Sequence, residues 1–135
     1  MQDKQFIKDA IRTESPNFFQ PNIRILHAAI GCVTESGELL DSLKKQIFYG
    51  RELDVVNVKE EAGDILWYLA ILFDELGTDF ETEATRVINK LKTRFPDKFT
   101  EETVYNRDLE TERKVLEDGA WYSAKIHPQS GQKED

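Results

Sequence analysis

The chain has 135 residues, 39% apolar and 33% charged, enough for one domain with its own core and broad solvated faces. Its net charge of −8 argues against a protein that tracks a nucleic-acid backbone, which carries a basic stripe. A nucleotide ligand stays compatible, because a bound cation inverts the local sign. Cys32 is the only cysteine, which excludes an internal disulfide framework and fits a reducing compartment.

The first ten residues, MQDKQFIKDA, contain no apolar signal core. The longest apolar run, Ile65 to Phe73, falls far short of the roughly 20 residues a membrane span needs. A cytoplasmic protein without a membrane partner is expected. Phe6, Ile7, Ala10 and Ile11 share one face and predict a short amphipathic helix over residues 3–12, ended by Ser15-Pro16-Asn17. A second helix is predicted from about Asn22 to Ile47. Its first half is apolar on several sides, with Ile23, Ile25, Leu26, Ala28, Ala29, Ile30, Cys32 and Val33. A helix of that kind is buried on more than one side, which in so short a chain points to a partner subunit. Tyr49-Gly50-Arg51 is the next turn.

The third helix opens near Asp54, a good N-cap, and closes at Gly77, a good residue just past a helix end. Val58, Ala62, Ile65, Leu66, Leu69, Leu72, Phe73 and Leu76 are its predicted core stripe. Thr78-Asp79-Phe80-Glu81 reads as a capping box opening a fourth helix. Phe80, Ala84, Val87, Ile88 and Leu91 form that helix's core face, and Pro96 ends it. Residues 101–118 are helix-compatible but strongly charged. Beyond them come Trp121, Tyr122 and Ile126, then a polar tail over 129–135 that is expected to be disordered. No alternating strand pattern is present. The expected fold is all-α, an antiparallel helical bundle completed by oligomerisation. A single domain is expected over residues 1–118, with a C-terminal extension over 119–135.

One pattern occurs twice: Glu35-Ser36-Gly37-Glu38-Leu39-Leu40 and Glu61-Ala62-Gly63-Asp64-Ile65-Leu66. Each copy has two carboxylates three residues apart, which lie on one helix face about a turn apart. Two antiparallel helices around the turn at Gly50 would bring the pairs face to face, as a ligand set for a hard cation such as Mg²⁺ or Mn²⁺. Isolated pairs of this kind usually belong to solvated faces. Here each copy also places a glycine mid-helix, at about 1 kcal/mol relative to alanine, which suggests close backbone approach. Asn57, Glu61, Asp64 and Tyr68 fall on one face of the third helix, and Glu38, Ser42 and Lys45 align on the second. Glu60 points roughly 100° from Glu61 and is left out.

On the fourth helix Arg86, Lys90 and Arg94 stack at i, i+4 and i+8, with Asn89 beside them. Alone this is a solvated basic face; beside a carboxylate–metal site it becomes a clamp for polyphosphate. His27 shares the stripe of Glu38 but lies roughly 16 Å away along the axis, so it reads as a pocket or buried polar residue. Cys32, in an apolar run, reads as core. Phe18, Phe19, Trp67, Trp121 and Tyr122 have the shape to stack on a base but more often serve as core or interface. There is no glycine-rich phosphate loop, no zinc spacing and no Ser/His/Asp order.

The two carboxylate pairs, in the settings Glu-Ser-Gly-Glu-Leu-Leu-Asp and Glu-Glu-Ala-Gly-Asp-Ile-Leu-Trp-Tyr-Leu, resemble the signature of the MazG-like all-α nucleoside triphosphate pyrophosphohydrolases. Asn89-Lys90-Leu91-Lys92-Thr93-Arg94-Phe95-Pro96 is similar to the family's downstream Lys-x-x-x-Arg element. The resemblance covers about residues 22 to 99, with a weaker likeness over Arg107 to Leu116. It implies Mg²⁺-dependent hydrolysis of a (deoxy)nucleoside triphosphate to a monophosphate and pyrophosphate, with Mn²⁺ as a substitute, in a homodimer or homotetramer. It further implies that Glu35, Glu38, Glu61 and Asp64 hold metal and that Lys90 and Arg94 contact phosphates. Asn89 would contact sugar or phosphate, and Glu35 or Glu38 would hold or deprotonate the attacking water. The superfamily includes dUTP and dCTP pyrophosphatases and a phosphoribosyl-ATP pyrophosphohydrolase, so the base stays open. The rival expectation is a non-catalytic helical module that binds nucleotide or metal and leaves it intact.

Overall fold

The computed structural model describes residues 3–18 and 23–118. It is all-helical over them, with α1 (Asp3–Ile11), α2 (Arg24–Tyr49), α3 (Val55–Leu76), α4 (Phe80–Arg94), α5 (Glu101–Tyr105) and α6 (Leu109–Asp118). The chain divides into two compact units, Met1–Asp79 and Phe80–Asp135. Phe19, Trp121, Tyr122, the predicted helix start at Asn22 and the extension over 119–135 lie outside the described residues.

In the first unit, helix ends follow local chemistry. Asp54 caps α3 by accepting from the backbone N–H of Val56 and of Asn57, both at 3.1 Å. Gly50 and Gly77 close α2 and α3 in the left-handed region, at φ 61° and 67°. α2 begins differently: Ile23 offers no side-chain cap, and a cation, Arg24, stands at the positive end of the helix dipole. Three carboxylates offset it. Arg24 donates to Glu14 at 2.7–3.0 Å, to Asp74 at 2.6 Å and to Glu75 at 3.0 Å, tying the segment after α1 and the end of α3 to the start of α2.

The pairing of α2 with α3 is antiparallel. Arg24 meets Asp74, Gly31 meets the Tyr68 ring, and Ser42 meets Asn57, so one number falls as the other rises. Gly31 permits this packing. A Cβ there would sit 2.1 Å from Tyr68 Cδ1 and Cε1, so only glycine leaves room for the ring. At Gly37 and Gly63, by contrast, an added Cβ meets nothing within 4 Å. The close approach expected at those two positions is therefore not made within the described residues; it is made at Gly31, six residues before Gly37.

α1 packs on α3 through buried Ile7 and Ala10, and Trp67 Nε1 donates to Thr13 Oγ1 at 2.8 Å. The fully buried positions of α3 are Ala70 and Ile71 rather than the predicted stripe, of which Ala62, Leu66 and Leu76 are exposed. The physical reason is that α3 turns two sides to α2 and α1, and the stripe lies largely on a third. α2 is likewise apolar on the side away from α3: Val33, Leu40 and Ile47 are 71%, 65% and 71% exposed.

In the second unit α4 packs on α6. No residue of α4 is fully buried, and Val87 and Ile88, placed in its predicted core face, are exposed. Residues 101–118 form two helices rather than one, because Asp108 caps a new start by accepting from the backbone N–H of Thr111 at 3.0 Å. No helix among the described residues is long and apolar enough to cross a membrane.

Candidate functional site

Because α2 and α3 run antiparallel around Gly50, the two carboxylate patterns meet. Glu35 and Glu38 on α2 and Glu61 on α3 each offer an oxygen, and these oxygens lie within 4.8 Å of one another. Asp64 is not in that group, but its negative charge acts on both Glu35 and Tyr68. Glu60 is exposed and also outside it.

Glu61 is 5% exposed, and a buried carboxylate requires hydrogen-bond partners. It has one in a short relay: Ser42 Oγ donates to Asn57 Oδ1 at 2.7 Å, and Asn57 Nδ2 donates to Glu61 Oε1 at 2.5 Å. The relay joins α2 to α3 and fixes one oxygen of Glu61. Beside it opens a cleft of about 460 Å³ that includes Glu38, Asp41, Ser42, Lys45 and Asn57. Lys44 and Lys45 are drawn to Asp41 at 2.7 and 2.8 Å, and they hold its carboxyl down at about 2.

Glu35 moves the other way. Burial pushes its carboxyl up, and the charge of Glu38, a hydrogen bond with Glu61 and the charge of Asp64 push it further. Tyr68 is raised by burial and by the charges of Glu35 and Asp64. Carboxylates converging from two helices make an all-oxygen donor set, which suits Mg²⁺ or Mn²⁺. His27 is not part of this group: it lies between Phe18 and Tyr68, with ring centroids at 5.1 and 5.6 Å, and its buried Nδ1 has no hydrogen-bond partner among the described residues.

The predicted phosphate residues lie on α4. Lys90 is half-buried, and Asn89 lines a second cleft of about 290 Å³ with Arg86, Thr85 and Val115. Arg94 is held by Glu112 of α6, with Nε donating to Oε1 at 2.8 Å and Nη2 to Oε2 at 2.5 Å. Glu112 escaped the sequence reading. The available signal was a glutamate on the same helix face as Leu109, Val115 and Leu116.

Comparison with known proteins agrees with this geometry. Residues 27–99, more than half of the chain, match the MazG nucleotide pyrophosphohydrolase domain. The "Gene 37 protein" of Mycobacterium phage L5 is 33% identical over 75 residues, a match that covers 50% of this chain and 63% of the phage protein. The chain thus spans less than two thirds of that relative's length. No solved structure matches. The family match runs through both carboxylate pairs and the Asn89 to Arg94 element, and the chain belongs to the MazG nucleotide pyrophosphohydrolase family.

Proposed function

We propose that the protein hydrolyses a nucleoside triphosphate to a nucleoside monophosphate and pyrophosphate, using Mg²⁺ held by Glu35, Glu38 and Glu61, with Asp64 completing the set. The observation that carries this reading is the convergence of three carboxylates from two helices in a chain of this family. The cation, when bound, supplies charge neutralisation of the polyphosphate and activation of water. The chain's own residues do the rest. Asn57 and Ser42 keep Glu61 turned to the site. Either Glu35 or Glu38 accepts the proton of the attacking water as its oxygen bonds to the α-phosphorus. The bond from that phosphorus to the bridging oxygen breaks, and pyrophosphate leaves. Lys90, Arg94 and Asn89 take phosphate oxygens and the charge that develops on the leaving group.

A second copy of the chain is the proposed partner, as homodimer or homotetramer. The exposed apolar side of α2 and the open stripe of α3 support it, since monomers rarely leave large apolar patches uncovered. The cytoplasm is the proposed compartment, in keeping with one free cysteine. The test is a panel of nucleoside triphosphates incubated with Mg²⁺ in ¹⁸O-water, with products identified by mass. The expected result is labelled monophosphate and unlabelled pyrophosphate. Orthophosphate with a diphosphate product, or nucleotide bound and left intact across the panel, refutes the reading.

A further inference from the structure

α6 lies beyond the residues that match the family domain, yet it delivers Glu112 to Arg94, which lies within the match. Glu112 is 4% exposed. Its Oε2 accepts from Nη2 of Arg94 at 2.5 Å and from Nη2 of Arg107 at 2.9 Å, while Oε1 accepts Nε of Arg94 at 2.8 Å. One carboxylate thus serves two guanidinium groups, and the triad keeps a net positive charge. Each arginine spends its Nε–Nη2 edge on Glu112. Nη1 of each makes no hydrogen bond among the described residues. The Phe95 ring centroid lies 5.8 Å from the Arg94 guanidinium carbon and braces that group from another side.

As a fastener between α4 and α6, such a triad is a poor choice. Burying the Glu112 carboxylate and covering most of the Arg94 side chain is costly, and apolar side chains of the same volume often hold helices together as well or better. What the arrangement supplies is orientation. An arginine fixed along one edge keeps its remaining donors in a set direction, with the ordering cost already met before an anion arrives.

We propose that Glu112 is a positioning residue that holds Arg94 and Arg107 as a paired-arginine site for a polyphosphate chain, with Arg107 as a further phosphate contact. The site rests on the nucleotide reading above, in which the polyphosphate is the triphosphate of the substrate. Glu112 is a fixed support rather than a competitor that phosphate must displace. A competitor would be exposed and singly held, whereas Glu112 is buried and doubly held.

The probe is inorganic tripolyphosphate, titrated into the full-length protein with Mg²⁺ present and followed by calorimetry. Loss of an oriented, charged hydrogen bond predicts binding at least about tenfold weaker in Glu112→Gln and in Arg94→Ala. Arg107→Ala should weaken it less. The double variant Glu112→Gln/Arg94→Ala should bind more weakly than Arg94→Ala alone by no more than the factor that Arg107→Ala costs, because Glu112 acts only through the two arginines. In the wild-type protein, which needs no variant to fold, the arginine side-chain ¹⁵N spectrum should show the Arg94 and Arg107 Nε–H signals shifting on titration. Tripolyphosphate affinity unchanged or tightened in Glu112→Gln, or wild-type signals that stay still, overturns the proposal. Binding and signal shift are read without turnover, so an inactive nucleotide panel would sink the enzymatic reading and leave this test intact.

Discussion

Replacing Gly31 by alanine would place a methyl group inside the Tyr68 ring. The new Cβ would lie 2.1 Å from Cδ1 and Cε1 and 2.4 Å from Cγ. Carbon atoms in contact sit about 3.5–4.0 Å apart, so the ring or the helix must move by more than about 1 Å. The ring has little freedom to yield, because His27 stands edge-on to it at 5.6 Å and Trp67 at 4.9 Å. Overpacking of this kind costs about 1–3 kcal/mol, and replacing a mid-helix glycine returns about 1 kcal/mol. The net loss should be up to about 2 kcal/mol, or up to roughly 8 °C in Tm for a chain of this size. Gly37→Ala is the matched control on the same helix. Its Cβ meets nothing within 4 Å, so it should gain up to about 1 kcal/mol. Scanning calorimetry of both variants at one protein concentration, in chelator, decides the matter. The consequence reaches the site, since Glu35 follows Gly31 by one turn and its charge already acts on Tyr68. Gly31→Ala melting at or above Gly37→Ala would refute the packing argument.

Further outcomes follow from other contacts. Arg24→Ala should cost about 2 kcal/mol by chemical denaturation, since it strips Glu14 of its guanidinium and frees the start of α2; an unchanged midpoint would mean the network is a surface accident. Glu35 has a folded-state pKa raised above its unfolded value, so its extra stability is present below the unfolded pKa and is lost as pH rises through the raised one. In chelator, the Tm of wild type relative to Glu35→Gln should therefore fall between mildly acidic and neutral pH, and a difference flat in pH would contradict it. Val33→Glu puts a charge on the exposed side of α2, away from the carboxylates. It should shift light-scattering mass from oligomer to monomer, and an unchanged mass would place the interface elsewhere.

The helices and their ends were legible because their causes are local. Asp54 carries a side-chain acceptor at the right offset, and glycine stands at 50 and 77 where the backbone turns left-handed. The pairing of Glu35 and Glu38 with Glu61 was legible for a similar reason, since one short turn between two helices leaves few registers. What escaped depends on contacts distant in sequence. Nothing around Gly31 announces that the Tyr68 ring will lie on it, so the close approach was expected at Gly37 and Gly63 instead. The stripe of α3 was visible as apolar, but periodicity does not say whether a face meets α1, α2 or another chain. Glu112 and Arg94 are 18 residues apart, with two helix caps between them, and charge alone does not reveal such a pair.

The central claim is that the carboxylates of α2 and α3 converge to hold a divalent cation. The most direct measurement is a Mn²⁺ titration followed by the paramagnetic resonance of free Mn²⁺, on wild type, Glu61→Gln and Glu60→Gln, with no nucleotide present. The account predicts saturable binding by wild type and by Glu60→Gln, whose side chain lies outside the cluster, and binding weakened at least about tenfold by Glu61→Gln, which removes a charged ligand. Equal binding by Glu61→Gln and wild type, or loss of binding in Glu60→Gln instead, would contradict it.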